Sequence, residues 1–89
     1  MKYMCVWSCS PENWKESIKL FKQQKAAGAS IPGFKLLGRW HEVGTGKGYS
    51  LIETDDLVAM SKVASEWSGL IDQKIVPVVD DEEILKAYG

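Results

Sequence analysis

The sequence predicts an α+β domain whose strands and helices follow the order β-α-β-β-α-β. Three observations predict this order: a first strand that is apolar on both sides, a glycine-rich turn between two strand-like runs, and two amphipathic segments that begin with helix-start signals. The order is the split βαβ motif of the ferredoxin-like fold. Right-handed crossovers then give a four-stranded antiparallel sheet with two helices on one face.

Residues 2–9 form the predicted first strand. Both of its alternating sides are largely apolar, with Met4 and Val6 on one side. The opposite side carries Tyr3, Cys5, Trp7 and Cys9. A strand that is apolar on both sides is usually covered on both faces. We therefore predict that this strand lies in the centre of the sheet.

Each of the two long predicted helices begins with residues that favour a helix N-terminus. Ser10 is predicted to cap the first helix, Pro11 fits its first turn, and the helix is expected to end near Gly28. Residues 55–56 open the second helix, and Gly69 lies where a C-terminal cap belongs.

A hairpin is predicted between the two helices. Residues 34–43 and 48–54 form its strands, and the turn 44–47 contains two glycines that permit positive φ angles. The turn briefly resembles a phosphate-binding loop, but Gly48 stands where that motif requires Ser or Thr. We therefore interpret these glycines as a hairpin turn.

The last part of the chain is predicted to form a strand and a short helix. Residues 70–79 form the fourth strand, and Pro77 within it cannot donate a ladder hydrogen bond, so we place this strand at a sheet edge. The acidic residues 80–83 favour the start of a terminal helix that reaches Tyr88.

Length and charge limit the classes of protein to consider. The 89 residues make one domain, spanning residues 1–89, and a net charge of -1 gives no general attraction for nucleic acid or for anionic lipid. No apolar run approaches the roughly 18 residues that span a bilayer. The first residues are too few and too polar for a signal peptide, so we expect a cytoplasmic protein.

The two cysteines are predicted to be free thiols. Cys5 and Cys9 lie four residues apart on one strand, hence roughly 13 Å from each other. A disulfide needs Cα atoms within about 7 Å. A zinc site is not predicted either, because the chain has one histidine and no third cysteine. No metal is therefore expected, and the sequence predicts no particular cofactor.

The two-sided first strand also bears on assembly. Two helices on one face of the sheet leave the other face bare, whereas the strand indicates that both faces are covered. Two such sheets packing face to face would cover it, so we predict a homodimer.

The second strand carries the candidate functional residues. His41 is the only histidine, and histidine changes its charge near neutral pH. Arg39 and His41 point to the same side of this strand. If the hairpin pairs Arg39 with Glu53, the three side chains form a cluster that could bind a carboxylate or activate a substrate oxygen. The alternative is a cross-strand ion pair between Arg39 and Glu53 that only sets register.

The four tryptophans are the second group of candidates. Trp14 and Trp67 lie on the apolar stripes of the helices and are expected in the core. Trp7 and Trp40 are candidates to line a cavity or a subunit interface. The predicted ligand-binding set is therefore Trp7, Arg39, His41 and Glu53.

Several runs of residues resemble a family of small bacterial proteins of unassigned function. They are residues 36–41, the turn 46–49, residues 53–56, Trp67 and residues 76–78. The family looks like part of the dimeric α+β-barrel group within the ferredoxin-like fold. The resemblance implies this architecture and no particular reaction.

Related dimeric barrels include cofactor-free oxygenases and haem-degrading enzymes that use Asn, Trp and His. The residues of these types in this chain include Asn13, Trp67 and His41, but they show no position-by-position match to that set. No catalytic role is carried over to them.

Two hypotheses for function follow. In the first, the protein binds a small organic molecule near His41, as an oxygenase or isomerase-like enzyme or as a simple binder. In the second, it is a non-enzymatic dimerising module that regulates or scaffolds another protein. A cavity opening onto His41 favours the first hypothesis, and a filled interior with His41 facing solvent favours the second.

Overall fold

The computed structural model describes residues 1–27 and 32–89. In this part of the chain, four strands, three α-helices and one short 3-10 turn follow one another. The strands are β1 (Lys2–Ser8), β2 (Phe34–His41), β3 (Lys47–Thr54) and β4 (Asp72–Val78). The helices are α1 (Trp14–Ala27), α2 (Leu57–Glu66) and α3 (Asp81–Tyr88).

The four strands form one antiparallel sheet in the order β2-β3-β1-β4. This order confirms the predicted ferredoxin-like fold. Strand β1 lies between β3 and β4, as its two apolar sides predicted, and β4 lies at an edge. Pro77 on β4 is opposite Tyr3 of β1, so the proline occupies an edge strand, where a missing donor is tolerated.

The start of the first helix differs from the prediction. The Ser10 side chain makes no capping hydrogen bond; instead its carbonyl accepts from the backbone N–H of Asn13 at 3.1 Å. A 3-10 turn over Pro11–Asn13 precedes α1, which begins at Trp14. Proline lacks an N–H and fits this first turn well. The predicted end of the helix near Gly28 lies outside the described residues.

Acidic caps begin the other two helices, as predicted. The Asp56 side chain accepts from the backbone N–H groups of Val58 and Ala59, both at 3.0 Å. Asp80 and Glu83 form a capping box at the start of α3, and Lys2 donates to Asp80 at 3.0 Å. The capping box satisfies donors that a helix end leaves free.

Glycines shape the hairpin turn. Gly44 and Gly46 have φ angles of 82° and 73°, which favour glycine over other residues. The turn prediction is therefore confirmed. After α2, Gly69 has a φ of 85°, in agreement with the predicted cap region.

Helices α1 and α2 both lie over the same face of the sheet, as predicted, and we call this face the covered face. Cys5, Trp7, Ser50 and Ile52 point toward these helices. The alternate residues point to the other side, which we call the open face. None of the helices in residues 1–27 and 32–89 combines the length and apolar character that crossing a bilayer requires.

Candidate ligand-binding cavity

A cavity of about 180 Å³ lies between the covered face and the two helices. Its walls are predominantly apolar and aromatic. The sheet contributes Trp7, Phe34, Leu36, Ile52 and Ile75, and the helices contribute Trp14, Ile18, Phe21, Met60 and Val63. Trp67, after the last turn of α2, also lines it. The space where a small domain usually packs its core is therefore partly hollow.

The burial of side chains agrees with a hollow interior. In the described residues, the only buried apolar side chains are Cys5, Cys9, Ile52 and Ala59, and no large side chain is fully enclosed. Protein interiors are normally packed as densely as organic crystals. Aromatic residues here line a space rather than fill it.

A few polar groups face the cavity. The Cys9 thiol lies 3.3 Å from the Ser17 hydroxyl, and the Gln73 side chain donates to the Ala64 carbonyl at 3.0 Å. Cys5 lies beside Gln73, and burial raises the pKa of the Cys5 thiol. A thiol with a raised pKa is a poor nucleophile at neutral pH. Both cysteines are buried and free, as the sequence predicted.

Trp7 lies across the cavity floor because its neighbour on β3 has no side chain. Trp7 is opposite Gly48, and a Cβ added at Gly48 would lie 2.0 Å from the indole. The next residue along this row is His41 of β2. The Trp7 indole reaches over Gly48 and meets the His41 imidazole edge-to-face, with ring centroids 5.3 Å apart.

A β-bulge turns Arg39 and His41 toward the cavity. The pairing of β2 with β3 shifts by one residue between Leu36 and Gly38. A one-residue shift moves the following side chains to the opposite face. Phe34 and Leu36 face the helices before the bulge, and Arg39 and His41 face them after it.

The same bulge makes the supposed pairing of Arg39 with Glu53 wrong. Arg39 is opposite Ser50, and Glu53 is opposite Lys35 on the other side of the bulge. Ile52 faces the cavity, and neighbouring side chains on a strand point to opposite faces. Glu53 is exposed and therefore points to the open face. The predicted cluster of carboxylate, guanidinium and imidazole does not form; Trp7, Arg39 and His41 come together without Glu53.

Phe21 of α1 joins Arg39 and His41 at the mouth of the cavity. The Arg39 guanidinium carbon lies 5.1 Å from the centre of the Phe21 ring, and the His41 and Phe21 ring centroids are 5.7 Å apart. Arg39 and His41 are both exposed, so they lie where the cavity meets solvent. Partial burial nonetheless lowers the pKa of Arg39.

The remaining tryptophans lie in different places. Trp67 lines the cavity, as does Trp14, although Trp14 is 45% exposed and the prediction of a core position was wrong in that respect. Trp40 lies on the open face and is 56% exposed. A Cβ at Gly38 would lie 2.5 Å from its ring.

Sequence reasoning missed several residues that form the cavity. Among them are Gly48, which leaves room for the Trp7 indole, and Phe21, whose ring contacts His41. Ser50 was not considered, although it is 8% exposed and faces the cavity. The adjacent apolar pair Leu36–Leu37 followed by glycine was a signal for the bulge, because it breaks the alternation of a strand. Within the described residues, no group of three metal-ligating side chains is found.

Comparisons with known proteins agree with this architecture. The crystal structure of a proposed antibiotic biosynthesis monooxygenase from Deinococcus radiodurans has a TM-score of 0.52 to this chain. The two share 14% sequence identity, over 89% of this chain and 92% of that chain. This likeness supports the fold. A comparison with curated proteins found no match. The family model of DUF3303, a domain of unknown function, matches residues 1–89, and the chain therefore belongs to the DUF3303 family.

Proposed function

We propose that this protein binds a small organic molecule with an aromatic body in the cavity beneath α1 and α2. The observation that carries the proposal is the cavity itself: about 180 Å³ lined mainly by aromatic and aliphatic side chains where a packed core belongs. An apolar cavity of about 150 Å³ is large enough to admit a benzene ring. The cavity therefore suits a benzene ring with a short substituent.

The arrangement of polar groups also supports binding. Ligand pockets combine apolar walls with a small number of polar groups that fix orientation. Here the walls are apolar, and the charged or titratable groups Arg39 and His41 stand together at the mouth. A filled interior would have favoured the scaffold hypothesis, but the interior of this domain is partly hollow.

A chemical role for the site depends on His41. The structural neighbour from Deinococcus radiodurans is described as a proposed monooxygenase, and we include conversion of the ligand in the proposal on that ground. His41 stands at the mouth, and histidine is the side chain that most often acts as a general acid or base in enzymes. Cys5 is a weaker candidate because burial raises the pKa of its thiol. We expect His41→Ala to leave folding intact and to abolish turnover or weaken binding.

The proposal is tested with 3-phenylpropanol as the probe. We expect it to shift the amide resonances of cavity residues such as Trp7, Ser50 and Met60. At 100 times its dissociation constant a ligand adds about 2.7 kcal/mol to the stability of the folded state. For a domain of this size that raises Tm by roughly 10–20 °C. 1-Propanol, which lacks the ring, serves as the control and should neither shift these resonances nor raise Tm. Resonance shifts confined to the open face, or none at all, would contradict the proposal.

We also propose that the protein works as a homodimer that pairs its open faces. Two rows of side chains cross the centre of this face. One row contains Trp40, Tyr49 and Val6, and the other contains Leu51, Met4 and Val76. Both rows are apolar apart from Lys74 at one end.

Charged rows border this apolar centre. Lys35, Glu53 and Lys2 lie in one flanking row, and Lys47 and Asp72 lie in the other. An apolar centre with a polar rim is the usual composition of a protein interface. Val6 and Trp40 are 37% and 56% exposed, although their neighbours are apolar. A second copy of the sheet would cover them.

The dimer is tested by measuring mass in solution. Light scattering behind size-exclusion chromatography should give about twice 9.9 kDa. Val6→Lys places a charge in the centre of the open face and should reduce the mass to that of one chain. Val43→Lys is the matched control, because Val43 is 99% exposed in the hairpin turn and should leave the mass unchanged. A wild-type protein of 9.9 kDa at micromolar concentration would overturn the proposal.

A further inference from the structure

We infer that the ligand of the cavity is an aromatic carboxylic acid, with its ring in the cavity and its carboxylate held at the mouth by Arg39 and His41. This inference rests on the proposed function and specifies the class of ligand. It is carried by the distribution of charge around the cavity, by the unpaired state of Arg39 and by the fixed position of the imidazole.

The charged side chains that line the site carry only one sign. A shallow depression adjoins the cavity at the outer edge of β2, and it is lined by Lys25 in addition to Arg39 and His41. The chain contains 12 acidic residues, yet none of them lines the cavity or this depression in the described part of the chain. A mouth with cationic groups and no carboxylate attracts anions and repels cations.

Arg39 has no acidic partner among residues 1–27 and 32–89. The ion pairs found in residues 1–27 and 32–89 are formed by the N-terminus and by Lys2. Residues 28–31 contain no acidic side chain in the sequence, so they supply none either. Arginines placed beside apolar surface usually pair with a carboxylate or a phosphate.

The stacking of Arg39 leaves its donors available. Its guanidinium lies over the face of Phe21, 5.1 Å from the ring centre, and this contact uses the flat side of the group. The N–H bonds lie in the guanidinium plane and remain free for a planar, bidentate acceptor. Partial burial lowers the pKa of Arg39, and a bound anion would favour its charged form.

The His41 ring is held by two aromatic neighbours. Trp7 and Phe21 contact it edge-to-face from β1 and from α1, with centroid distances of 5.3 and 5.7 Å. No described residue accepts a hydrogen bond from the imidazole, so its N–H is available to a ligand. Deeper in the cavity, Ser50 lies opposite Arg39 on the next strand and lines the cavity.

Three compounds with the same phenylpropyl body separate the contributions of ring and charge. They are 3-phenylpropanoate, 3-phenylpropanol and 3-phenylpropylamine, which carry an anionic, a neutral and a cationic group. Titration calorimetry at neutral pH should show the acid binding roughly 10- to 100-fold more tightly than the alcohol, the factor typical of a hydrogen bond to a charged group. The amine should bind most weakly.

Substitutions on β2 test whether Arg39 causes the preference for the acid over the alcohol. Arg39→Gln should reduce the affinity for the acid to that for the alcohol and leave the alcohol unaffected. Arg39→Lys keeps the charge without the planar fork and should retain part of the preference. Lys35→Gln is the matched control, because Lys35 lies on β2 before the bulge, opposite Glu53, and should change neither affinity.

The outcomes separate this inference from the proposed function. Equal binding of the acid and the alcohol in the cavity overturns the inference and leaves the proposed function standing. Binding of none of the three compounds overturns both. If Arg39→Gln and Lys35→Gln lose affinity for the acid equally, the preference is a general effect of charge, and the inference is also overturned. Amide spectra of each free variant establish that it is folded before affinities are compared.

Discussion

The covered face and the open face of the sheet each lay a tryptophan over a glycine, with different surroundings. On the covered face, Trp7 lies over Gly48 and meets His41 beneath the helices. On the open face, Trp40 lies over Gly38 and is 56% exposed. In both cases the glycine gives the indole room to lie close to the backbone.

The difference between the two pairs lies in what holds the indole. The Trp7 ring is fixed between a glycine and a histidine that itself contacts α1, so it forms a wall of the cavity. Among the described residues no helix covers Trp40, whose side chain is 56% exposed. The same local arrangement therefore lines a cavity where helices cover it, and gives an exposed apolar surface where they do not.

The largest expected effect comes from adding a methyl group beneath Trp7. In Gly48→Ala the new Cβ would lie 2.0 Å from the indole, and the ring has to leave its place against His41. Overpacking of this kind costs about 2–3 kcal/mol, which lowers Tm by roughly 10–20 °C. Urea unfolding at a fixed protein concentration measures it.

Gly38→Ala is the matched substitution on the open face. Its Cβ would lie 2.5 Å from the far end of the Trp40 ring, which is 56% exposed in a single chain and can rotate away. Because a second copy would cover Trp40 in the proposed dimer, both glycine substitutions are compared in the Val6→Lys variant, which is expected to be monomeric. Alanine is also favoured over glycine in a strand by about 0.5–1 kcal/mol. We expect a change of less than about 1 kcal/mol. Equal losses of stability in the two variants would mean that Trp7 is held no more firmly beneath the helices than Trp40 is on the open face.

A medium effect, of opposite sign, is expected from filling the cavity. Ala64 lines the cavity from α2, and Ala64→Leu adds apolar volume there. Filling a cavity commonly adds about 0.5–2 kcal/mol, whereas enlarging a side chain in a filled core costs about 1–3 kcal/mol. An increase in the free energy of unfolding of Ala64→Leu would therefore support the cavity, and a decrease would contradict it. Ala87→Leu on the exposed helix α3 should stay within about 0.5 kcal/mol.

The sequence predicted the fold well because its strongest signals are local. The two-sided β1 indicated a central strand, Pro77 indicated an edge, and glycines 44 and 46 indicated the turn; all three predictions are confirmed. Each depends on the chemistry of one residue or on simple alternation.

The candidate site was harder to predict because it depends on register. Arg39 and His41 were expected on one side of β2, which is correct, but the bulge after Leu36 decides which side that is. Alternation alone carries no information on a one-residue shift. The ring contacts of Phe21 also need the position of α1 over the sheet, which only tertiary packing sets.

The smallest expected effect concerns a hydrogen bond that Tyr49, on the open face, donates to Glu42. The Tyr49 hydroxyl donates to the Glu42 carboxylate, and Thr45 donates to it at 2.8 Å. These hydrogen bonds, first from Tyr49 and then from Thr45, lower the pKa of Glu42. A carboxyl with a lowered pKa stabilises the fold above its ordinary value of about 4.3, and this contribution disappears as pH falls through the lower folded value.

Tyr49→Phe should therefore be less stable than the wild type at neutral pH, with a deficit smaller than the effects above because both side chains are only half-buried. The deficit should shrink below about pH 4 as Glu42 is protonated in both proteins. Unfolding curves at several pH values measure this, and an NMR titration should show the Glu42 midpoint moving up in the variant. Tyr3→Phe is the control, since the Tyr3 hydroxyl contacts a methionine sulfur and no carboxylate. A deficit for Tyr49→Phe that stays constant from pH 7 to acid would show that the lost hydrogen bond is not linked to the charge of Glu42.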